Sequence, residues 1–225
     1  MIVEIVGPAG AGKSTLFQAL EKCDPGFQVE FLPPVWNVAY LPFFVKHILL
    51  LAPTLVRMQG KGNRNLTRRE LAWMAMLQGW PKILKEKAEG DHKLILLDQG
   101  PVFLMTILFE FGPESLRNPE IKGYWGKIKE KWIHTLDMLI WLDTSDEILI
   151  NRIRSRPDKH LMKNKTDQEI IEFLAKYRRA YERLINTFMM NNPEIRVFQM
   201  DTGTNSVDDL IRCVLSILPN GKRDR

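Results

Sequence analysis

The sequence predicts an α/β fold in which parallel strands alternate with helices. Short apolar segments alternate with longer helical patterns from one end of the 225-residue chain to the other. Most of the short segments are nearly continuous apolar runs, as in strands that are covered on both faces. The first of them leads directly into a glycine-rich loop, and a helical pattern follows. These three observations favour strand–helix–strand units within one domain.

The strand candidates lie at residues 2–6, 27–31, 94–97, 138–142 and 196–200, the second being more mixed than the others. Helix starts are visible between them. Thr166 and Glu169 have the spacing of a capping box, and apolar residues recur behind them at steps of three and four up to residue 188. Thr144 and Glu147 predict the start of the preceding helix in the same way.

Length and composition fit a single globular domain over residues 1–219, with residues 220–225 as a disordered tail. Hydrophobic residues make up 45% of the chain and charged residues 26%, which is ordinary for this class. The net charge of +5 suits a protein that handles phosphates, but it does not separate nucleotides from nucleic acids or membranes.

Three features predict a cytoplasmic location. Cys23 and Cys213 are too few and too scattered for a disulfide framework or a zinc site. Met1 leads straight into the first strand candidate, which leaves no room for a signal peptide. The most apolar segment, residues 41–56, carries Lys46 and His47 at its centre and is short for a bilayer, which needs roughly 20 apolar residues. We therefore expect no transmembrane segment.

The loop after the first strand fits the phosphate-binding pattern G-x-x-x-x-G-K-[ST] in full. Its backbone amides can surround phosphate oxygens, and the following helix adds its positive end. Lys13 can reach the β- and γ-phosphates, and the Ser14 hydroxyl can ligate Mg²⁺. The expected nucleotide-binding residues are Gly7, Pro8, Ala9, Gly10, Ala11, Gly12, Lys13, Ser14 and Thr15. The strand–loop–helix context predicts a P-loop NTPase fold that binds ATP.

A carboxylate for the metal is expected at the end of a neighbouring apolar strand. Asp98 follows such a strand candidate, at the edge of the sheet where open α/β folds bind ligands. It could instead cap the helix that Gly100 and Pro101 predict. Asp143, at the end of the next strand candidate, reads better as part of a helix start.

Residues 164–167 match the guanine-reading pattern N-K-x-D, but a polar segment rather than a buried strand precedes them. The capping box explains Thr166 and Asp167 better, so a GTPase is disfavoured. Arg152 and Arg156 lie four residues apart and are expected on one helix face, where they can neutralise a phosphoryl group during its transfer. The alternative is a solvated basic helix end that favours the helix dipole.

The chain resembles the thymidylate kinase and deoxynucleoside kinase group of P-loop kinases. The likeness rests on four segments: GPAGAGKST, LILLDQG, IWLDTSDEILINRIRSR and VFQMDTGTNSVDDLIRCVL. It implies a five-stranded parallel sheet with helices on both faces and a mobile lid over ATP, here at about residues 152–167. It also implies that Arg152 and Arg156 are lid arginines, and that residues 201–205 lie near the adenine.

Two departures from this group leave the acceptor open. Gln99 stands where an arginine usually helps to hold the acceptor. Proline stands where nucleoside kinases carry a glutamate base, and Glu30 is displaced from that place. A nucleoside hydroxyl needs a base because its proton must leave, whereas an acceptor phosphate is already an oxyanion. Either Glu30 or Asp98 could be that base.

Two more segments bear on the acceptor. Arg68 and Arg69 open a helical pattern with Trp73 and Trp80 that could wall the acceptor pocket, although packing in the core is the simpler interpretation. The apolar residues 41–56 could be core, a homodimer face or a wall for a lipid-like acceptor.

The sequence thus predicts a Mg²⁺-ATP-dependent kinase of a small molecule, a nucleoside or nucleoside monophosphate in the first place. The expected catalytic residues are Lys13, Asp98, Arg152 and Arg156, and the expected metal ligands are Ser14 and Asp98. The alternatives are a P-loop ATPase or switch with a macromolecular partner, and a kinase of a lipid-linked or sugar acceptor. Nucleic acid is not an expected partner, since no run of interleaved basic and aromatic residues is found.

Overall fold

The structure is a computed structural model that describes residues 1–23, 27–30, 38–60, 62–91, 94–157 and 160–218. Of residues 27–30 only the backbone is described. The strands are β1 (Ile2–Val6), β2 (Phe27–Glu30), β3 (Leu94–Asp98), β4 (Met138–Asp143) and β5 (Arg196–Asp201). The helices are α1 (Lys13–Cys23), α2 (Leu41–Met58), α3 (Arg68–Asp91), α4 (Pro101–Phe111), α5 (Lys122–Ile133), α6 (Asp146–Ser155), α7 (Asp167–Asn191) and α8 (Val207–Ile217). Short 3₁₀ turns cover Val38–Tyr40, Glu114–Arg117 and Pro119–Ile121.

The strands form one parallel sheet in the order β2-β3-β1-β4-β5. The central strand β1 therefore has β3 on one side and β4 on the other, with Ile5 beside both Asp98 and Ile140. All carboxyl ends meet at one edge because the strands run in the same direction. The predicted α/β fold with a parallel sheet is confirmed.

Helices cover both faces of this sheet. Neighbouring residues of a strand point to opposite faces, and they accordingly fall into two separate apolar clusters: Ile2 and Val6 into one, Val3 and Ile5 into the other. The first cluster includes residues of α2, α3, α4, α5 and α7, and the second residues of α1, α6, α7 and α8. Each face of β1, β3 and β4 is thus buried, which explains their nearly continuous apolar sequences.

The edge strand β5 corrects one expectation. It was expected to be covered on both faces, but Arg196, Gln199 and Asp201 are exposed and only Met200 is buried. An edge strand has a neighbour on one side only, so part of it stays in contact with water.

The helix starts were predicted with mixed success. Thr166 and Glu169 form the predicted capping box at the start of α7, with both reciprocal hydrogen bonds present. The predicted start at Gly100 and Pro101 is also confirmed. The prediction for Thr144 and Glu147 was wrong, because α6 begins after Ser145 and this residue makes no side-chain cap.

Helix α2 covers the apolar segment singled out in the sequence. It is long and apolar enough to cross a membrane by length and composition, but the core helix of a soluble protein can pass the same test. It packs against α3, and its buried residues are Phe44, Leu51, Thr54 and Met58. Its exposed large apolar side chains are Leu41, Val45, Leu49, Leu50 and Val56.

Candidate active site

The glycine-rich loop between β1 and α1 is held close to the sheet. A Cβ at Gly7 would lie 2.3 Å from the backbone oxygen of Leu142 on β4, so no larger residue fits there. Gly10 has a φ of +88°, in the left-handed region that glycine adopts without strain. The sequence thus supplies glycine where the loop approaches β4 and where its backbone must turn.

Lys13 lies over this loop. Its Nζ donates to the backbone oxygen of Gly7 at 2.7 Å and to that of Pro8 at 3.0 Å. Burial lowers the pKa of this ammonium group to about 8, Asp98 opposes the shift and Arg156 adds to it. Lys13 is half-buried, and its hydrogen-bond partners within the described part of the chain are carbonyl oxygens, so its charge is well placed to bind an anion such as phosphate.

Asp98 ends β3 at the carboxyl edge of the sheet, as predicted. Burial raises the pKa of its carboxyl group, while Lys13 and a backbone hydrogen bond oppose the shift. It does not cap α4, since the residue at that position is Gly100. Gln99 between them has a φ of +60°, which is unusual for a residue other than glycine.

Asp98 and Lys13 line a common cavity of about 950 Å³. Seven of the nine predicted loop residues line it with them, namely Gly7, Ala9, Gly10, Gly12, Lys13, Ser14 and Thr15; Pro8 and Ala11 do not. Residues 202–205 also line it. Its remaining wall includes Phe103, Phe173 and Tyr177, which the sequence reading did not single out as site residues. The cavity thus joins a phosphate loop, a carboxylate and an aromatic wall.

The predicted lid arginines differ in their surroundings. Arg152 lies on α6 and donates to both the backbone oxygen and the Oγ1 of Thr202, each at 2.8 Å, and to the backbone oxygen of Gly10 at 3.3 Å. It therefore connects the phosphate loop with the segment that follows β5. A direct role at a phosphoryl group would require these contacts to open, and the catalytic assignment of Arg152 stays a prediction.

Arg156 lines the same cavity, but the two arginines do not share a helix face as expected. Helix α6 ends at Ser155, and Arg156 has the extended backbone of the residue that follows. Its charge lowers the pKa of His160, after the larger effect of burial, and this histidine lines the cavity too. The segment beyond α6 therefore brings the charge of Arg156 to the cavity without a continuous helix.

Asp143 has a structural partner that the sequence reading missed. Its carboxylate accepts hydrogen bonds from Nε and Nη2 of Arg178, at 2.7 and 3.0 Å. The same guanidinium reaches Asp146 and the backbone oxygen of Thr144. This network joins α7 to the end of β4 and the start of α6, which lie more than 30 residues earlier in the sequence, so spacing offers no signal for it. Asp143 thus lies in an ion-pair network rather than capping a helix.

Glu4 is a second feature that the sequence reading missed. It is fully buried on β1 and accepts from the backbone amides of Val102 at 2.9 Å and Phe103 at 3.0 Å, at the start of α4. Burial raises its pKa to about 8, although the two amides oppose the shift. A Cβ at Gly100 would lie 2.6 Å from its carboxyl carbon. A charged residue within an otherwise apolar β1 is the signal that could have revealed it.

The helix that was considered as an acceptor wall packs in the core instead. Trp73, Met74, Met76 and Trp80 of α3 are buried in the larger apolar cluster. None of them, nor any residue of α2, lines the cavity at Lys13. The side chain of Glu30 lies outside the described residues, as do residues 220–225.

Comparison with solved structures shows that the fold is similar to those of a deoxyadenosine kinase and a thymidylate kinase, at 18% and 15% sequence identity. No protein-family model matches the chain, and no curated protein matches its sequence.

Three solved structures illustrate the likeness. A deoxyadenosine kinase from M. mycoides with the products dCMP and dCDP superimposes with a TM-score of 0.55 at 18% identity, over 96% of this chain and 97% of its own. The thymidylate kinase from Candida albicans gives a TM-score of 0.55 at 15% identity, over 96% and 89%. The YorR protein from Bacillus subtilis, in complex with phosphorylated GDP, gives 0.52 at 14%, over 96% and 94%.

Proposed function

We propose that the protein is a Mg²⁺-ATP-dependent kinase that phosphorylates a nucleoside or a nucleoside monophosphate. The observation that carries the proposal is the common cavity of the phosphate loop, Lys13 and Asp98 at the carboxyl edge of the sheet. The neighbours of this fold support the acceptor class, since their structures hold dCMP, dCDP and phosphorylated GDP.

Each predicted site residue has a role in this proposal. The loop amides and Lys13 bind the phosphates of ATP, with Lys13 exchanging its two carbonyl partners for phosphate oxygens. Arg156 meets the transferring phosphoryl group from the side of the lid. Catalysis then consists of positioning and of stabilising the charge that develops on that group.

The oxygen donors at the site fit Mg²⁺. Ser14 and Asp98 both line the cavity, and hydroxyl and carboxylate oxygens suit this hard cation. Among the described residues no group of three or more His, Cys, Asp or Glu forms a closed metal cage. In nucleotide sites, Mg²⁺ is usually bound by one or two carboxylates together with the phosphates of the nucleotide. Bound there, Mg²⁺ would neutralise charge on the β- and γ-phosphates.

The acceptor is proposed to lie between Asp98 and the aromatic wall. Phe103 and Tyr177 offer flat apolar surfaces on which a nucleobase can pack. The cavity of about 950 Å³ lies near the upper end of the roughly 300–1,000 Å³ that small-molecule sites occupy. The acceptor would thus meet the γ-phosphate near Asp98.

The proposal extends to the organisation of the chain. We infer one domain over residues 1–219 with a lid at about residues 152–167, because Arg152, Arg156 and His160 all line the cavity. A cytoplasmic location is supported by the two free, exposed cysteines. A homodimer stays a prediction. Cosedimentation with liposomes tests the alternative of a lipid-linked acceptor: binding of the exposed apolar side of α2 to the liposomes would favour it, and a protein that stays in the supernatant would count against it.

A screen of ATP consumption tests the function. The protein is incubated with Mg²⁺ and ATP, and ADP is measured with nucleosides, nucleoside monophosphates, sugars or no acceptor. We expect ADP formation that requires a nucleoside or a nucleoside monophosphate, and the phosphorylated product in equal amount. ADP formed without acceptor, or only with a macromolecule, would favour an ATPase or switch; ADP formed only with sugars would favour a sugar kinase.

The matched variants are Lys13→Ala and Lys22→Ala, both on α1. Lys13→Ala should lower turnover about 10³-fold, since it removes a preorganised charge from the phosphoryl group. Lys22 lies exposed in the last turn of the same helix, and its replacement should leave turnover within about twofold. Circular dichroism and thermal unfolding check that both variants are folded. Near-normal turnover of Lys13→Ala would remove this residue from the mechanism.

A further inference from the structure

A second cavity, of about 580 Å³, lies between α4, α5 and α7. It shares two helices with the active-site cavity but none of its lining residues. Phe103 and Tyr177 face the first cavity, whereas Glu110 of α4 and Lys176 of α7 line the second. The two cavities are therefore separate sites along the same pair of helices.

The second cavity has a strongly positive wall. Among the described residues that line it are one carboxylate, Glu110, and four cationic side chains: Arg117, Lys129, Lys176 and Arg183. The Glu110 carboxylate pairs with Arg183. Within the described part of the chain, neither Lys129 nor Lys176 forms an ion pair with a carboxylate. Most of the positive charge is thus left without a compensating anion.

The two lysines are held at the cavity by weaker contacts. Lys176 donates to the backbone oxygen of Glu110 at 2.7 Å, and its Nζ lies 4.7 Å from the ring centre of Phe111. The Nζ of Lys129 lies 5.7 Å from the ring centre of Phe109. Aromatic rings attract cations but do not neutralise them. Both ammonium groups therefore keep free donors at the cavity.

The charges at the cavity repel one another. Burial lowers the pKa of Lys129, and the positive charges of Arg183 and Lys122 lower it further. An anion bound between these groups would raise the pKa of Lys129 again, because an opposite charge favours the protonated amine.

Thr106 supplies an independent indication of a ligand. It is fully buried and lines the cavity, yet its Oγ1 has no hydrogen-bond partner in the described structure. Buried hydroxyl groups nearly always have a partner, and leaving one without costs about 1–3 kcal/mol. A polar ligand in the cavity would supply it once the side chains that cover the hydroxyl move aside. Phe109 and Leu184 give the same cavity an apolar part.

We propose that this second cavity binds a small molecule that carries two or more phosphate groups. Its volume is within the range of small-ligand sites, and its cations are of the types that bind phosphates, Arg by paired donors and Lys as a point charge. A single phosphate would leave much of the positive charge uncompensated. The apolar part of the ligand would pack on Phe109. The proposal does not depend on the function of the first cavity.

Calorimetric titration with pyrophosphate tests the proposal. The first cavity is filled beforehand with one molar equivalent of a non-hydrolysable ATP analogue and Mg²⁺, without an excess of analogue that could also enter the second cavity. We expect one further pyrophosphate to bind per chain. Lys129→Gln should weaken this binding at least about tenfold, since it removes a charge-assisted contact. Lys127→Gln removes the same charge from an exposed position of α5 and should change the affinity by less than about twofold.

A local measurement shows where the pyrophosphate binds. Limited acetylation with acetic anhydride, followed by peptide mass spectrometry, gives the reaction rate of each lysine. Pyrophosphate should slow the acetylation of Lys129 and leave that of Lys127 unchanged. This measurement does not depend on phosphoryl transfer. Even if the protein proves not to be a kinase, pyrophosphate bound in the second cavity should still slow the acetylation of Lys129.

Two outcomes would overturn the proposal. Absence of a second binding event, with an unchanged acetylation rate of Lys129, would show that the cavity takes no such ligand. If Lys129→Gln and Lys127→Gln weaken pyrophosphate binding equally, the binding depends only on the net charge of the surface.

Discussion

Arg152 binds Thr202 at two points, the backbone oxygen and the Oγ1, each at 2.8 Å. Since the same guanidinium also reaches the backbone oxygen of Gly10, it holds the phosphate loop against the segment after β5. That segment follows the edge strand β5, which is less buried than β1, β3 and β4. Arg152 thus stabilises the relative position of two walls of the active-site cavity.

Arg152→Ala should therefore weaken ATP binding. We expect the KM for ATP to rise about tenfold, because the two walls lose charge-assisted hydrogen bonds between them. Thr202→Val removes only the hydroxyl contact and should have a smaller effect of the same kind. Steady-state kinetics at saturating acceptor measures both. A fall in kcat with an unchanged KM would instead place Arg152 at the phosphoryl group.

Asp98→Asn should lower turnover about 10²-fold and raise the Mg²⁺ concentration needed for half-maximal rate, because an amide binds the cation more weakly than a carboxylate. Asp143→Asn changes an acid at the end of β4, on the other side of β1, and should leave the Mg²⁺ dependence unchanged. Rates measured across a Mg²⁺ titration separate the two variants. The same Mg²⁺ dependence for wild type and Asp98→Asn would contradict the metal role.

The network of Arg178 should matter for stability. Arg178→Ala leaves Asp143 partly buried without its cationic partner, and we expect the free energy of unfolding to fall by about 2 kcal/mol. This loss of stability is smaller than that expected on breaking a fully buried ion pair, because the Arg178 side chain is 22% exposed. Arg179→Ala is the matched control, since its side chain is exposed on the same helix. Urea unfolding measures the free energy of unfolding of both variants. Equal decreases in the two variants would show that the Arg178 network makes no specific contribution to stability.

Glu4 should make stability depend on pH. Its pKa is raised to about 8 in the folded protein from an ordinary value of 4.5, so between these values the unfolded chain releases a proton that the folded protein keeps. The free energy of unfolding should accordingly fall as pH rises from 5 to 8, and more steeply than in Glu4→Gln. Urea unfolding at several pH values tests this. Parallel pH profiles of the two proteins would show that Glu4 does not titrate in this range.

The parts of the fold that were predicted correctly are those encoded by local patterns. The glycine-rich loop, the apolar runs of β1, β3 and β4, and the capping box of α7 each depend on residues a few positions apart. Asp98 could be placed at the edge of the sheet because parallel strands end together. The helix start at Thr144 and the helical position of Arg156 were predicted wrongly, since helix ends are weakly specified by sequence.

The sequence by itself determined the class of fold and the phosphate-binding loop, because strand and helix periodicity and the loop's glycines are local properties of the chain. Only the tertiary structure decided which distant side chains meet: Arg178 with Asp143, Glu4 with the start of α4, and the cations of the second cavity. These contacts depend on how the helices pack across the sheet, and spacing along the chain carries no record of that packing.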